Sequence, residues 1–121
     1  MLKDLDTSGF KAVYIVCGYT DLRRGIDGLA GIVQNELRLD PFDSGELFLF
    51  CGRRADRIKG LLWEGDGFLL LYKRLEDGKY KWPRNSQEVL AMSPQQYRWL
   101  MEGLSIHQRQ YVKEVQARRT V

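Results

Sequence analysis

The sequence predicts an α+β fold: a twisted sheet of about five strands in the order β-α-β-β-β-β-α, with a long glycine-containing helix on one face and a C-terminal helix. Three observations carry this. Two short apolar runs, "AVYIVCG" and "ELFLFCG", each close on Cys-Gly as strands do. Two Asp-Gly pairs, Asp66-Gly67 and Asp77-Gly78, punctuate apolar segments in the manner of tight hairpins. The string "MSPQQYRWLMEGL" opens with a helix cap and continues with a helical apolar stripe.

In chain order, "AVYIVCG" is the first strand, closed by Gly18. Leu22, Ile26, Leu29, Ala30, Val33 and Leu37 then recur at helical spacing, with Thr20 or Asp21 as the cap and Pro41 beyond the far end. Gly25, Gly28 and Gly31 form a smooth strip along this helix, read as close packing on the sheet. "ELFLFCG" is nearly all apolar and therefore central. If both Asp-Gly pairs are two-residue turns, Trp63 faces Leu70, Leu61 faces Tyr72, and Lys59, Arg74 and Lys81 line up across three strands. Ile58, Gly60, Leu62, Leu69, Leu71, Leu75, Tyr80 and Trp82 then share the core face, with Lys73 the exception. In the last helix Ser93 caps, Pro94 takes the first turn, Gln96 completes a capping box, and Met92 with Tyr97 forms the staple.

At 121 residues the chain has room for one core, so 1–121 reads as a single domain, with 106–121 a basic tail that extends as a helix or frays. No apolar run is long enough to span a bilayer, and Lys3, Asp4 and Asp6 stand where a signal peptide is apolar. The reading is a cytoplasmic protein without a membrane partner. Cys17 and Cys51 fit no disulfide framework, and His107 is the sole histidine, so free thiols and no metal site are expected. The net charge of +3 is unevenly spread. Residues 1–52 sum to −3, 53–84 to +4 and 105–121 to +3. That distribution suits a polyanionic partner.

No catalytic set emerges, and no cofactor is implied. His107 has no serine-centred turn motif to serve. Asp21, Asp27, Asp40, Asp43, Asp56 and Asp66 mostly stand at turns and helix starts, where aspartate has structural work. Asp56-Arg57 reads as an ion pair. "VCGYTDLRRG" echoes "FCGRRADRIKG", and the echo is set aside as coincidence.

Three strings together, "CGYTDLRRGIDGLAGIV", "LDPFDSGELFLFCGRRADRIKGLLWEGDGFLLLYKRLEDGKYKWP" and "MSPQQYRWLMEGL", resemble the small Orf2-like accessory proteins of the insertion-sequence-66 transposon family. The resemblance covers roughly residues 10–105 and is most specific from Arg53 to Pro83. "CGRRAD" is less polar than the family's usual version of that loop. The resemblance implies a protein encoded beside a large transposase and needed for efficient movement of the element, with no catalytic residues to carry over.

Two functions follow as expectations. In the first, a non-catalytic accessory binds DNA, or the transposase–DNA complex, through Arg53, Arg54, Arg57, Lys59, Arg74, Lys79 and Lys81, with Trp63 or Tyr72 available for stacking. In the second, an adaptor uses Leu61, Trp63, Phe68, Leu70 and Tyr72 to bind the transposase or a second copy of itself. A final helix lying over that apolar patch would remove the adaptor's surface.

Overall fold

The two Cys-Gly strands lie side by side. In the computed structural model, which describes residues 1–85 and 88–108, β1 (Ala12–Val16) pairs in parallel with β2 (Glu46–Cys51). From β2 the sheet continues antiparallel through β3 (Arg57–Trp63) to β4 (Phe68–Arg74). On the other side of β1 lies the short β5 (Val89–Ala91), also antiparallel. The spatial order is β4-β3-β2-β1-β5. Among the described residues this is a five-stranded mixed sheet with two α-helices, α1 (Ile26–Gly31) and α2 (Pro94–Met101), in the α+β class expected. The basic-tail reading of 106–121 falls, from residue 109 onward, outside the described residues.

Both faces of the sheet are covered, which explains why β2 is apolar from its second residue on: Leu47 to Cys51 are all buried. One face packs Leu29, Ile32 and Val33 of the first helical segment on Phe48, Phe50 and Leu61. The other packs Tyr97 and Leu100 of α2, with Leu2, Tyr80, Trp82 and Ile106, on Val13, Ile15, Leu47, Leu49 and Ile58. The cap of α2 is as the sequence states it. The Gln96 amide donates to Ser93 Oγ at 3.1 Å, and the Ser93 amide donates to Gln96 Oε1 at 2.9 Å. Met92 and Tyr97 are both buried beside it. Gly103, at φ 83°, ends the stripe, so Leu104 is left exposed.

Three expectations need correction. The first helix does not start at Thr20 or Asp21. Thr20 continues alongside β2, its amide donating to the Cys51 carbonyl at 2.8 Å, and Asp21 is used in a local turn that accepts from the Arg23 amide. Helix begins after Gly25 and widens at Ile32 into a π-helical segment (Ile32–Glu36), where the Leu37 amide reaches the Ile32 carbonyl. Nor do its glycines face the sheet. A Cβ at Gly25 would meet nothing within 4 Å, one at Gly31 only Asn35, and one at Gly28 only the Arg24 side chain.

The second correction concerns register. The first hairpin loop is four residues, Glu64–Gly67, with Gly65 at φ 93° and the Glu64 amide bonded to the Gly67 carbonyl. Trp63 therefore faces Phe68, Leu61 faces Leu70, Lys59 faces Tyr72 and Arg74 faces Arg57. The shift relative to a two-residue loop is even, so the face assignments survive it.

The third is the fifth strand, expected at 79–82 against β4. Gly78 does turn the chain, at φ 83°. The following residues then cross to the β2–β3 loop and β1. The Tyr80 amide donates to the Ala55 carbonyl at 2.7 Å, Trp82 Nε1 to the Val16 carbonyl at 2.8 Å, and the Gly18 amide to the Pro83 carbonyl at 2.7 Å. Burying the Tyr80 and Trp82 rings outweighs a hairpin on an exposed edge. Lys81 lies on no strand, and the three-strand ladder of Lys59, Arg74 and Lys81 is not formed.

The face assignment makes a direct prediction. Leu71 is half-buried on the α2 side and Arg74 is an exposed edge residue paired with Glu76 at 3.1 Å. Leu71→Ala should cost about 2 kcal/mol, and Arg74→Ala should stay within about 0.5 kcal/mol. Thermal melts of the two variants check this; a larger loss for Arg74→Ala would mean the two faces are exchanged.

Candidate nucleic-acid interface

The carboxyl ends of two parallel strands are where an open sheet leaves a crevice between its loops. Here β1 runs into residues 17–25 and β2 into residues 52–56. Between them opens a cleft of about 1160 Å³, walled by Tyr19, Asp21 and Arg23 on one side and by Arg53, Arg54 and Asp56 on the other. Arg57, Lys59, Leu70 and Tyr72 of β3 and β4 form its floor and far wall. A second hollow of about 510 Å³ shares Tyr19, Arg53 and Arg54 and adds Lys79, Lys81, Arg84 and His107.

The loops are held in shape by backbone geometry. Gly18 (φ 79°) turns the chain out of β1. The Ala55 amide donates to the Gly52 carbonyl at 2.9 Å, closing a turn that puts Arg53 and Arg54 at its tip, both exposed. Ala55 itself sits at φ 61°, a left-handed conformation unfavourable for a residue with a Cβ. Lys59 ties the walls together: its Nζ donates to the Arg24 carbonyl at 3.0 Å and lies 5.8 Å from the Tyr72 ring centroid.

The electrostatics leave a positive surplus. Asp21 is matched by Arg23, whose hydrogen bonds hold its carboxyl well below the usual carboxylate range. Asp56 is matched by Arg57 at 3.3 Å, in an orientation that makes no hydrogen bond. Among the described residues Arg53, Arg54, Lys79, Lys81 and Arg84 make no ion pair. Among the described residues, Asp56 Oδ1, Arg57 Nε and the Tyr80 hydroxyl are buried without a hydrogen bond to another protein group, and these residues line the two hollows.

Of the residues singled out from the sequence, Arg53, Arg54, Arg57, Lys59, Lys79 and Lys81 are thus brought together around two adjoining hollows. Arg74 is not: it sits on the edge strand opposite Arg57 and lines neither hollow. The apolar patch is divided. Leu61, Leu70 and Phe68 pack under the first helical segment rather than under α2. Trp63 and Phe68 join Phe42 in an aromatic cluster at the other end of the hairpin, with centroids 4.9 to 5.2 Å apart. Tyr72 is exposed on the cleft wall.

Tyr19, Arg23 and Arg84 were not among the sequence-derived candidates, and the signal that finds two of them was present. The echo between "VCGYTDLRRG" and "FCGRRADRIKG" has a structural counterpart: the two Cys-Gly pairs end neighbouring parallel strands, and the two basic segments after them face each other across the cleft.

Among the described residues no helix is long and apolar enough to cross a membrane, and no group of three or more metal-ligating side chains comes together. A family profile described as IS66 Orf2-like protein matches residues 11–111. Two uncharacterized proteins of Sinorhizobium fredii are similar over most of their length. One, y4hO, is 40% identical over 92 residues, 76% of this chain and 79% of that protein. The other, y4jC, is 39% identical over 84 residues, 69% of this chain and 71% of that protein. No solved structure matches the chain.

Proposed function

From the premise that this chain belongs to the IS66 Orf2-like family, we propose that it is a non-catalytic accessory protein of DNA transposition that holds DNA, alone or with the element's transposase, in the basic groove at the carboxyl ends of β1 and β2. The observation that carries this is the surplus of cations without an ion pair, among the described residues, around two adjoining hollows. Arg53 and Arg54 line both, and Lys79, Lys81 and Arg84 line the second. Such a cluster raises a positive potential that attracts a polyanion. Lys59 and Arg57 contribute charge to the floor while also fixing its shape.

The non-catalytic reading rests on what the acidic side chains do. Asp21 closes a turn with Arg23, the Asp40 carboxylate accepts from the Phe42 amide, Asp43 pairs with Lys11, and Asp56 pairs with Arg57. Each has a structural partner, and among the described residues no three such side chains gather at one point for two-metal phosphodiester chemistry.

The test is a salt titration of binding to duplex DNA, comparing wild type with an Arg53→Gln, Arg54→Gln, Lys81→Gln triple variant. Each lost phosphate contact removes about 0.9 from the slope of log affinity against log salt, so the variant's slope should be shallower by about 2.7. Changing the DNA sequence should leave both lines in place. Parallel lines of equal affinity would take DNA out of the groove. The adaptor reading would then lead, through the Phe42, Trp63 and Phe68 cluster, where Phe42 is half exposed.

A further inference from the structure

We infer that the groove binds single-stranded DNA in preference to duplex, with Tyr19 and Tyr72 as base-stacking platforms; this rests on the DNA-binding reading above and narrows its ligand. Among the described residues only five large apolar or aromatic side chains are strongly exposed, and two of them, Tyr19 at 45% and Tyr72 at 54%, belong to this one cleft. They stand on opposite walls, Tyr19 on the loop after β1 and Tyr72 on β4, with the Arg53 and Arg54 turn between. Exposed rings interleaved with cations in a concave groove are what a single strand needs, since every base presents a face to stack and every phosphate a charge to neutralise.

The rest of the surface argues against a duplex reader. A helix or two-stranded ribbon must project to enter a major groove. Here the first helical segment, 26–36, is packed on the sheet through Leu29, Ile32 and Val33, and the exposed side of α2 offers Gln95, Arg98 and Glu102, away from the cleft. The platforms are also pre-set. Lys59 lies against the Tyr72 ring and, through the Arg24 carbonyl, fixes the loop that carries Tyr19. The Thr20 amide pins the same loop to Cys51. A stacking site built on anchored loops loses little ordering entropy on binding.

Fluorescence anisotropy with an oligothymidylate of about 16 nucleotides, the upper end of such site sizes, and with a duplex of equal length tests this. The single strand should bind more tightly at matched salt. Tyr19→Ala and Tyr72→Ala should each weaken single-strand binding by about 5- to 150-fold, the range base–aromatic stacking provides, and weaken duplex binding far less. Tyr19→Phe and Tyr72→Phe should bind as wild type does, because the ring and not the hydroxyl is the contact. A strand of abasic sugar-phosphates should bind wild type no better than it binds the alanine variants. Equal affinity for both DNA forms, or unchanged single-strand binding by both alanine variants, would overturn the inference. Charge-dependent duplex binding would then still stand, whereas absence of any DNA binding would remove both readings together.

Discussion

Truncating Trp82 to alanine should cost about 3–5 kcal/mol of folding stability, the range for a large buried aromatic. Its ring is 5% exposed and packs in the core on the α2 side of the sheet. Its indole N–H donates to the Val16 carbonyl at the end of β1, a buried hydrogen bond of 2.8 Å. Trp82→Phe keeps most of the bulk but leaves that carbonyl short of a donor, and should cost about 1–3 kcal/mol. The same bond docks the segment that carries Lys79, Lys81 and Arg84 against the cleft. Chemical denaturation of the three proteins, with unchanged m-value as the check on two-state behaviour, measures both losses. A cost below about 1 kcal/mol for alanine would mean that residues 79–84 are not anchored on the sheet, and the groove would lose one wall.

Trp82 also shows where local reading stops. The Asp77-Gly78 turn signal is real, but its sequel is chosen by distant partners. Tyr80 and Trp82 are buried against Cys51, Ala55 and β1, and no local pattern ranks that burial above a hairpin with β4. The four-residue loop at Glu64–Gly67 is a smaller failure of the same kind. Gly65, not Gly67, takes the positive φ, and the register moves by two while the faces stay. What alternation and capping dictate locally was legible: the four longer strands, the core face of Ile58, Leu62 and Leu71, and the box that starts α2.

The site divides along the same line. Arg53, Arg54, Lys79 and Lys81 were legible as a basic cluster because they lie close in sequence. Tyr19 was hidden, since its segment carries a helical spacing of apolar residues and nothing local sets it beside Arg53. Only the parallel pairing of β1 with β2, a contact between residues more than thirty apart in sequence, brings the two loops together. Arg74 illustrates the converse: it has the right charge and strand, but the two-residue register shift puts it opposite Arg57 at the sheet edge.

Stability should fall steeply on the alkaline side, by an amount on the order of 4 kcal/mol between pH 9 and 11. Burial pushes the Cys51 thiol up from 9.0 to about 12, with the negative charge of Asp56 adding to it. Burial pushes the Tyr80 hydroxyl up from 10.0 to about 12, with Cys51 the second cause. Cys17 and Tyr97 are displaced in the same direction, also by burial. In each case the fold favours the neutral, protonated form. The folded chain therefore holds these protons where the unfolded chain has released them, and stability declines as pH rises through that interval. Well below the unfolded thiol's pKa of 9.0 both states are protonated at these groups and the contribution is constant. One unit of displacement corresponds to about 1.4 kcal/mol, so at pH 11 Cys51 accounts for about two units and Tyr80 for about one. A domain whose total stability is about 5–15 kcal/mol would lose a large share of it. Cys51→Ala, compared with wild type by denaturant titration at pH 8, 9, 10 and 11 under reducing conditions, isolates the larger part. The variant should start somewhat less stable at pH 8, because it leaves a small cavity in β2, and then lose clearly less than wild type by pH 11, the remainder coming from Tyr80, Tyr97 and Cys17. Its slope should be shallower still if ionisation of Tyr80 becomes easier without the neighbouring thiolate. Identical slopes for the two proteins would mean that the Cys51 thiol is not shielded from water at the end of the parallel strand pair.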